Sequence, residues 1–136
     1  MFFLNYPFQL AADTDNAVKN ANALLDRVMK DIVTEDDDFD VAKFIPLISE
    51  RISTNNAYIR QFLIGWIMVL DSVPDISILY YLPQFLHGLF TMLNDANKEI
   101  IQQASTALDG RFGKQKNNVF FFAYNFFFTR RIFARN

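Results

Sequence analysis

The feature that most restricts what this chain can fold into is a repeat with a period of 41 residues. The segments TDNAVKNANALLDRVMKDIV (14–33), NNAYIRQFLIGWIMVLDSVP (55–74) and ANKEIIQQASTALDGRFGKQ (96–115) each begin 41 residues after the one before. Val18, Ile59 and Ile100 coincide in this register, each opening a helical pattern after a short polar loop. Lys19 and Arg60 follow them, Leu25 matches Trp66, Val28 matches Val69, and Ile32 matches Val73; the third copy loses register at Gly110.

Each copy has the periodicity of a helix. Val18, Ala21, Leu25, Val28 and Ile32 form one continuous stripe at helical spacing. The middle copy is apolar over most of its circumference, through Ile59, Phe62, Leu63, Trp66, Ile67, Val69, Leu70 and Val73. A helix apolar that far round has to be covered on several sides. Two further amphipathic segments lie between the copies. One is 40–52, with Asp40 as its expected N-cap; the other is 77–93, with Ser77 in that role. Each carries a proline near its start, which marks a first turn or a bend.

A helix-pair period near 40 residues fits an all-α, HEAT/armadillo-like α-solenoid, here of about five helices in antiparallel pairs. A closed five-helix bundle is the rival arrangement. The fixed spacing and the all-round apolar middle helix favour the solenoid.

Charge divides the chain. Residues 1–110 hold seven Lys/Arg against fifteen Asp/Glu, whereas residues 111–136 hold six Lys/Arg and no acid. An acidic body does not suit nucleic-acid binding, which needs cations to neutralise phosphates. Three segments are expected: an atypical start at 1–9, a repeat domain at 10–112, and a Phe-rich basic tail at 113–136, irregular or disordered and outside the fold. No apolar run approaches the ~20 residues of a membrane-spanning helix. The tail stretch VFFFAYNFFFTRRIF (119–133) has an apolar core half that long, broken by Asn125. It begins where the 41-residue spacing stops, and its composition is that of translated A/T-rich DNA. The expectation is therefore a truncated gene model or splice variant that reads into non-coding sequence.

Little in the sequence asks for chemistry. There is no Cys and a single His, His87, so thiol nucleophiles, disulfides and Cys-based zinc sites are excluded. The acidic run TEDDDFD (34–40) lacks the Gly and the closing Glu of a calcium loop, and reads as a solvated connection. GRFGK (110–114) lacks the spacing of a phosphate loop. Asn55, Asn56, Asp95 and Asn97 suit helix caps and tight turns, and Arg60 and Lys19 suit ion pairs between neighbouring loops. No catalytic, cofactor-binding or metal-binding residue is assigned, and no cofactor is expected. A solenoid binds proteins along an extended surface, which is the physical basis for an interaction function.

The strings VKNANALLDRVMKDIVTE, FIPLISERI, YIRQFLIGWIMVLDSVPDI, YLPQFLHGLFTMLNDANKEI and QQASTAL resemble, in this order, the N-terminal HEAT repeats of the ArPIKfyve-type vacuole-morphology scaffolds. The resemblance runs from about Leu10 to about Phe112. It implies a non-enzymatic scaffold or regulatory subunit of the PIKfyve phosphatidylinositol-3-phosphate 5-kinase complex, which controls phosphatidylinositol 3,5-bisphosphate synthesis. The implied partners are that lipid kinase and a Sac-domain phosphoinositide phosphatase. The implied place is the cytosolic face of endosomal and vacuolar membranes, with membrane association indirect, through the complex. Members of the family are several times longer, and no individual partner-binding residue carries over to this sequence. The alternative readings are a peripheral membrane module using the basic aromatic tail, or a truncated product with no function of its own.

Overall fold

The computed structural model describes residues 5–109, and among them every regular element is helical. The helices are α1 (Asn5–Leu10), α2 (Asn16–Glu35), α3 (Val41–Arg51), α4 (Ala57–Ser72), α5 (Leu82–Met92) and α6 (Lys98–Ala107). A 3-10 turn, Ile78–Tyr81, leads into α5. The helix beyond the five expected is α1, less than two turns long.

Side-chain caps start most of these helices, because the first backbone N–H groups of a helix have no partner within it. Asp15 accepts from Ala17 N–H, Asp40 from Lys43 N–H, Asn56 from Tyr58 and Ile59 N–H, and Asn97 from Glu99 N–H. Asp40 thus fills the role expected of it, and Ser77 does not. Ser77 makes no side-chain cap bond, and the α-helix starts only at Leu82, with Pro83 in its first turn. Proline lacks an N–H and clashes with the turn before it, so the chain approaches through a tighter 3-10 turn. Pro46 instead sits within α3, on its exposed side.

The helices form a row of pairs. α2, α4 and α6 make one layer with α4 in the middle, and α3 and α5 pack side by side in the other. α1 lies against α2. This open row is a HEAT-like all-α solenoid, not a closed bundle. The core runs between the layers through Phe44, Ile45 and Ile48 of α3, Leu63, Ile64, Trp66, Ile67 and Leu70 of α4, and Leu82, Phe85 and Leu89 of α5. As its composition requires, α4 is covered on several sides. Phe8 from α1 is 1 % exposed and wedges in edge-on to Phe62 and beside Phe44, so the start of the chain contributes to the core.

One helix carries its apolar stripe on the outside. On α2, Ala21, Leu25, Val28 and Ile32 of the stripe are exposed, with Leu24 exposed beside them. The side turned inward carries Asn22, Asp26, Met29, Lys30 and Val33. Asn22 is buried and donates to the Pro7 carbonyl at 3.1 Å, while Lys30 and Asp26 pair at 2.6 Å. Gly65 on α4 makes this possible. Without a Cβ it lets the Lys30 ammonium settle over the helix, near the Phe62 and Trp66 rings.

Candidate functional site

The loops within the helix pairs line one edge of the stack, and here the polar residues converge. In three successive loops the same two hydrogen bonds recur at the 41-residue step. Asp13, Thr54 and Asp95 accept through their side chains from the N–H of Asp15, Asn56 and Asn97. Those three residues accept in turn from the N–H of Ala17, Tyr58 and Glu99. Each loop therefore ends in a short local turn that leads straight into a cap, which is why small oxygen-bearing side chains are needed two residues apart.

Arg60 ties two of these loops together. Its Nε donates to Asp95 Oδ2 at 2.6 Å and its Nη1 to the Thr54 carbonyl at 3.1 Å. The pair is well shielded, with side-chain exposures of 16 % and 4 %. Burial pushes the Asp95 carboxyl up, but the Asn97 N–H and the Arg60 guanidinium outweigh it and hold the group below the usual carboxylate range. Lys19, the counterpart of Arg60 one repeat earlier, has no such bridge. The residue that would receive it is Thr54 instead of a carboxylate, and the ammonium lies 4.6 Å over the Tyr58 ring.

The remaining sequence candidates fall apart spatially or into structural roles. Asn56 and Asn97 are caps, and Asn55 is exposed in the loop between α3 and α4. His87 is exposed on α5, at the rim of a hollow that also touches Arg60, Thr91 and Asp95. In the acidic run, Asp36 accepts from Asp38 N–H, and Asp40 pairs with Lys43 at 2.7 Å while capping α3. The Lys43 ammonium and N–H hold the Asp40 carboxyl below its usual range. Among the described residues no group of three or more His, Asp or Glu could hold a metal ion. The GRFGK motif and the Phe-rich tail lie outside the described residues. Two residues that the sequence reading passed over, Asp13 and Thr54, belong to the recurrent loop pattern; carrying the 41-residue comparison back from Asp95 by one loop reaches Thr54, and by two loops Asp13.

These features define a class: an all-α, HEAT-like solenoid whose loop-edge polar groups serve structure and whose remaining resource is surface. Comparison with known proteins narrows it. The chain is 56 % identical over 110 residues to a VAC14 homolog of Arabidopsis thaliana, a match covering 81 % of the chain. It is 34 % identical to the vacuole morphology and inheritance protein 14 of Saccharomyces cerevisiae over 74 % of its length, and 33 % identical to a VAC14 homolog of Schizosaccharomyces pombe over 68 %. Over most of its length the chain thus belongs to the VAC14 family, the ArPIKfyve-type scaffolds. The matched stretch spans only 15 % to 16 % of the length of these relatives. No protein-family model matches the chain, and no solved structure matches it.

Proposed function

We propose that this chain forms part of the protein-binding surface of a non-enzymatic scaffold in a phosphatidylinositol-3-phosphate 5-kinase complex, on the cytosolic face of endosomal or vacuolar membranes. The observation that carries this reading is the VAC14 relationship at 56 % identity over four fifths of the chain. The fold supports it, since a solenoid offers a long, preformed surface at low ordering cost. Through that complex the chain would act on phosphatidylinositol 3,5-bisphosphate synthesis, with the lipid kinase and a Sac-domain phosphatase as partners. Pull-down with the purified chain tests the reading. The chain should retain the lipid kinase whenever the Arabidopsis relative does in parallel, and failure beside a working relative sinks the idea.

A second reading rests on one feature, the six Lys/Arg without an acid in residues 111–136 among many Phe. That segment would bring the chain to anionic lipid. No helix among the described residues is long and apolar enough to cross a membrane. Co-sedimentation with phosphatidylserine vesicles separates the two readings: residues 1–136 pelleting no better than residues 1–112 removes the lipid reading.

A further inference from the structure

Between α2 and α4 runs a groove with a hollow of about 320 Å³, lined by Lys19, Asn22, Asp26 and Lys30 of α2 and by Tyr58 and Phe62 of α4. The four α2 residues advance by three, four and four positions. They form one polar ridge, about 16 Å long at 1.5 Å per residue. In order it presents a cation, a carboxamide, a carboxylate and a second cation. Both cations reach across to α4, Lys19 over the Tyr58 ring and Lys30 over the Phe62 ring.

The ridge holds acceptors that the fold leaves unused. Asn22 is 4 % exposed, and its amide nitrogen donates to the Pro7 carbonyl, which only a donor can meet. Its Oδ1 therefore remains, and it accepts from no group among the described residues. Asp26 gives Oδ2 to Lys30, while its Oδ1 is likewise buried and without a donor among them. A buried acceptor left unpaired is destabilising, so both oxygens favour an incoming N–H. Lys19 pairs with no carboxylate among the described residues and lies 4.6 Å over the Tyr58 ring. The groove thus asks for N–H donors at its middle and for a carboxylate at the Lys19 end.

We propose that this groove binds an extended, acidic peptide segment of a partner protein. A carboxylate of the peptide draws the flexible Lys19 side chain off Tyr58, which opens the groove, and backbone N–H groups then reach Asn22 and Asp26. Those two residues lie four positions apart on α2, about 6 Å along its axis. An extended chain points its N–H groups to one side at every second residue, about 6.7 Å apart. The two spacings are close enough for both oxygens to be served by one strand. A phosphate group answers the lysines but brings no donor for the oxygens, so the peptide fits better than a lipid phosphate. A partner of this chemistry need not be the lipid kinase, and the inference stands apart from that reading.

The probe is a fluorescent peptide of alternating Glu and Thr, just longer than the groove, titrated into the 136-residue chain at physiological ionic strength and followed by polarisation. It should bind, and its Gln-Thr counterpart about tenfold more weakly. Lys19→Gln should weaken binding of the acidic peptide about tenfold, and Lys19→Arg should recover most of it. Arg27→Gln makes the same charge change at an exposed position of α2 outside the groove, and should alter binding by less than about twofold. N-methylation removes N–H donors and leaves the carboxylates in place. Applied at every Glu in one peptide and at every Thr in another, it should cost one of the two about tenfold. Absence of binding by the parent chain overturns the proposal, as do equal losses at positions 19 and 27 or indifference to both N-methylated peptides. Binding of phosphatidylserine vesicles that Lys19→Gln abolishes, with the peptide unbound, assigns the groove to lipid and overturns it too. Circular dichroism of Lys19→Gln should match the parent, because Lys19 touches the Tyr58 ring and no carboxylate of the described residues.

Discussion

Arg60 and Asp95 show how much one well-shielded pair can decide. Removing the guanidinium with Arg60→Ala leaves the Asp95 carboxylate to the backbone N–H groups of Ala96 and Asn97. The loss should be about 1–3 kcal/mol in urea unfolding, since a shielded charged acceptor loses its strongest donor. Because the Asp95 pKa is depressed in the folded chain, its contribution is present above the unfolded value of about 4 and is lost as the pH falls through the folded value. The acid limb of the stability profile should therefore be shallower in Arg60→Ala than in the parent chain. Two glycines make an equally sharp contrast. A Cβ on Gly88 would run into Ile52, meeting its Cγ2 at 2.7 Å and its Cβ at 2.8 Å with Cγ1 closer still, all on a stiff branched side chain between α3 and α5. Gly88→Ala should thus cost about 1–3 kcal/mol. At Gly65 the added methyl meets only the Lys30 ammonium, at 3.1 Å, the far end of a flexible chain. There the gain in helix propensity, about 1 kcal/mol, offsets the displacement, and Gly65→Ala should melt at or slightly above the parent temperature.

Helix boundaries were legible wherever a local rule was sufficient. Asp40 caps α3 as its position suggests, and the polar loops before α4 and α6 hold the caps Asn56 and Asn97. Asn56 serves two N–H groups at once, at 2.9 and 3.2 Å. Asn56→Ala should therefore cost about 1 kcal/mol of stability, with Asn56→Asp recovering most of it; urea midpoints of the three chains check this. The start of α5 was not legible from Ser77, because Pro83 dictates the local geometry and a cap residue six positions upstream cannot override it. α1 was missed for a different reason: six residues are too few to show periodicity, and only the burial of Phe8 against Phe44 and Phe62 reveals its role. The orientation of α2 lay beyond sequence altogether. An amphipathic stripe says that an apolar face must be covered, not by which neighbour.

For the whole molecule, the two faces of the α2–α4–α6 layer should respond to mutation in opposite ways. Ile67→Ala, at a fully buried position of α4, should lose about 2–4 kcal/mol. Ile32→Gln, on the exposed stripe of α2, should shift stability by less than about 0.5 kcal/mol. Thermal melts of the two variants provide the comparison, and a large loss at position 32 would mean that the stripe is already covered. The repeat spacing, the antiparallel pairs and the central burial of α4 were all readable from one sequence. The candidate surfaces were not, since a binding face on a solenoid is a property of how helices are set in the row, not of any motif along one of them.

The recurrent turn-and-cap loops, joined across repeats by Arg60, also have a mechanical consequence. They pin one edge of the stack, while at the opposite edge the connections 36–40 and 73–77 border an open hollow. A side tied across repeats should open less readily than a side that borders a hollow, so bending of this solenoid should splay the edge at 36–40 and 73–77; faster amide exchange there than at 53–56 and 94–97 checks this.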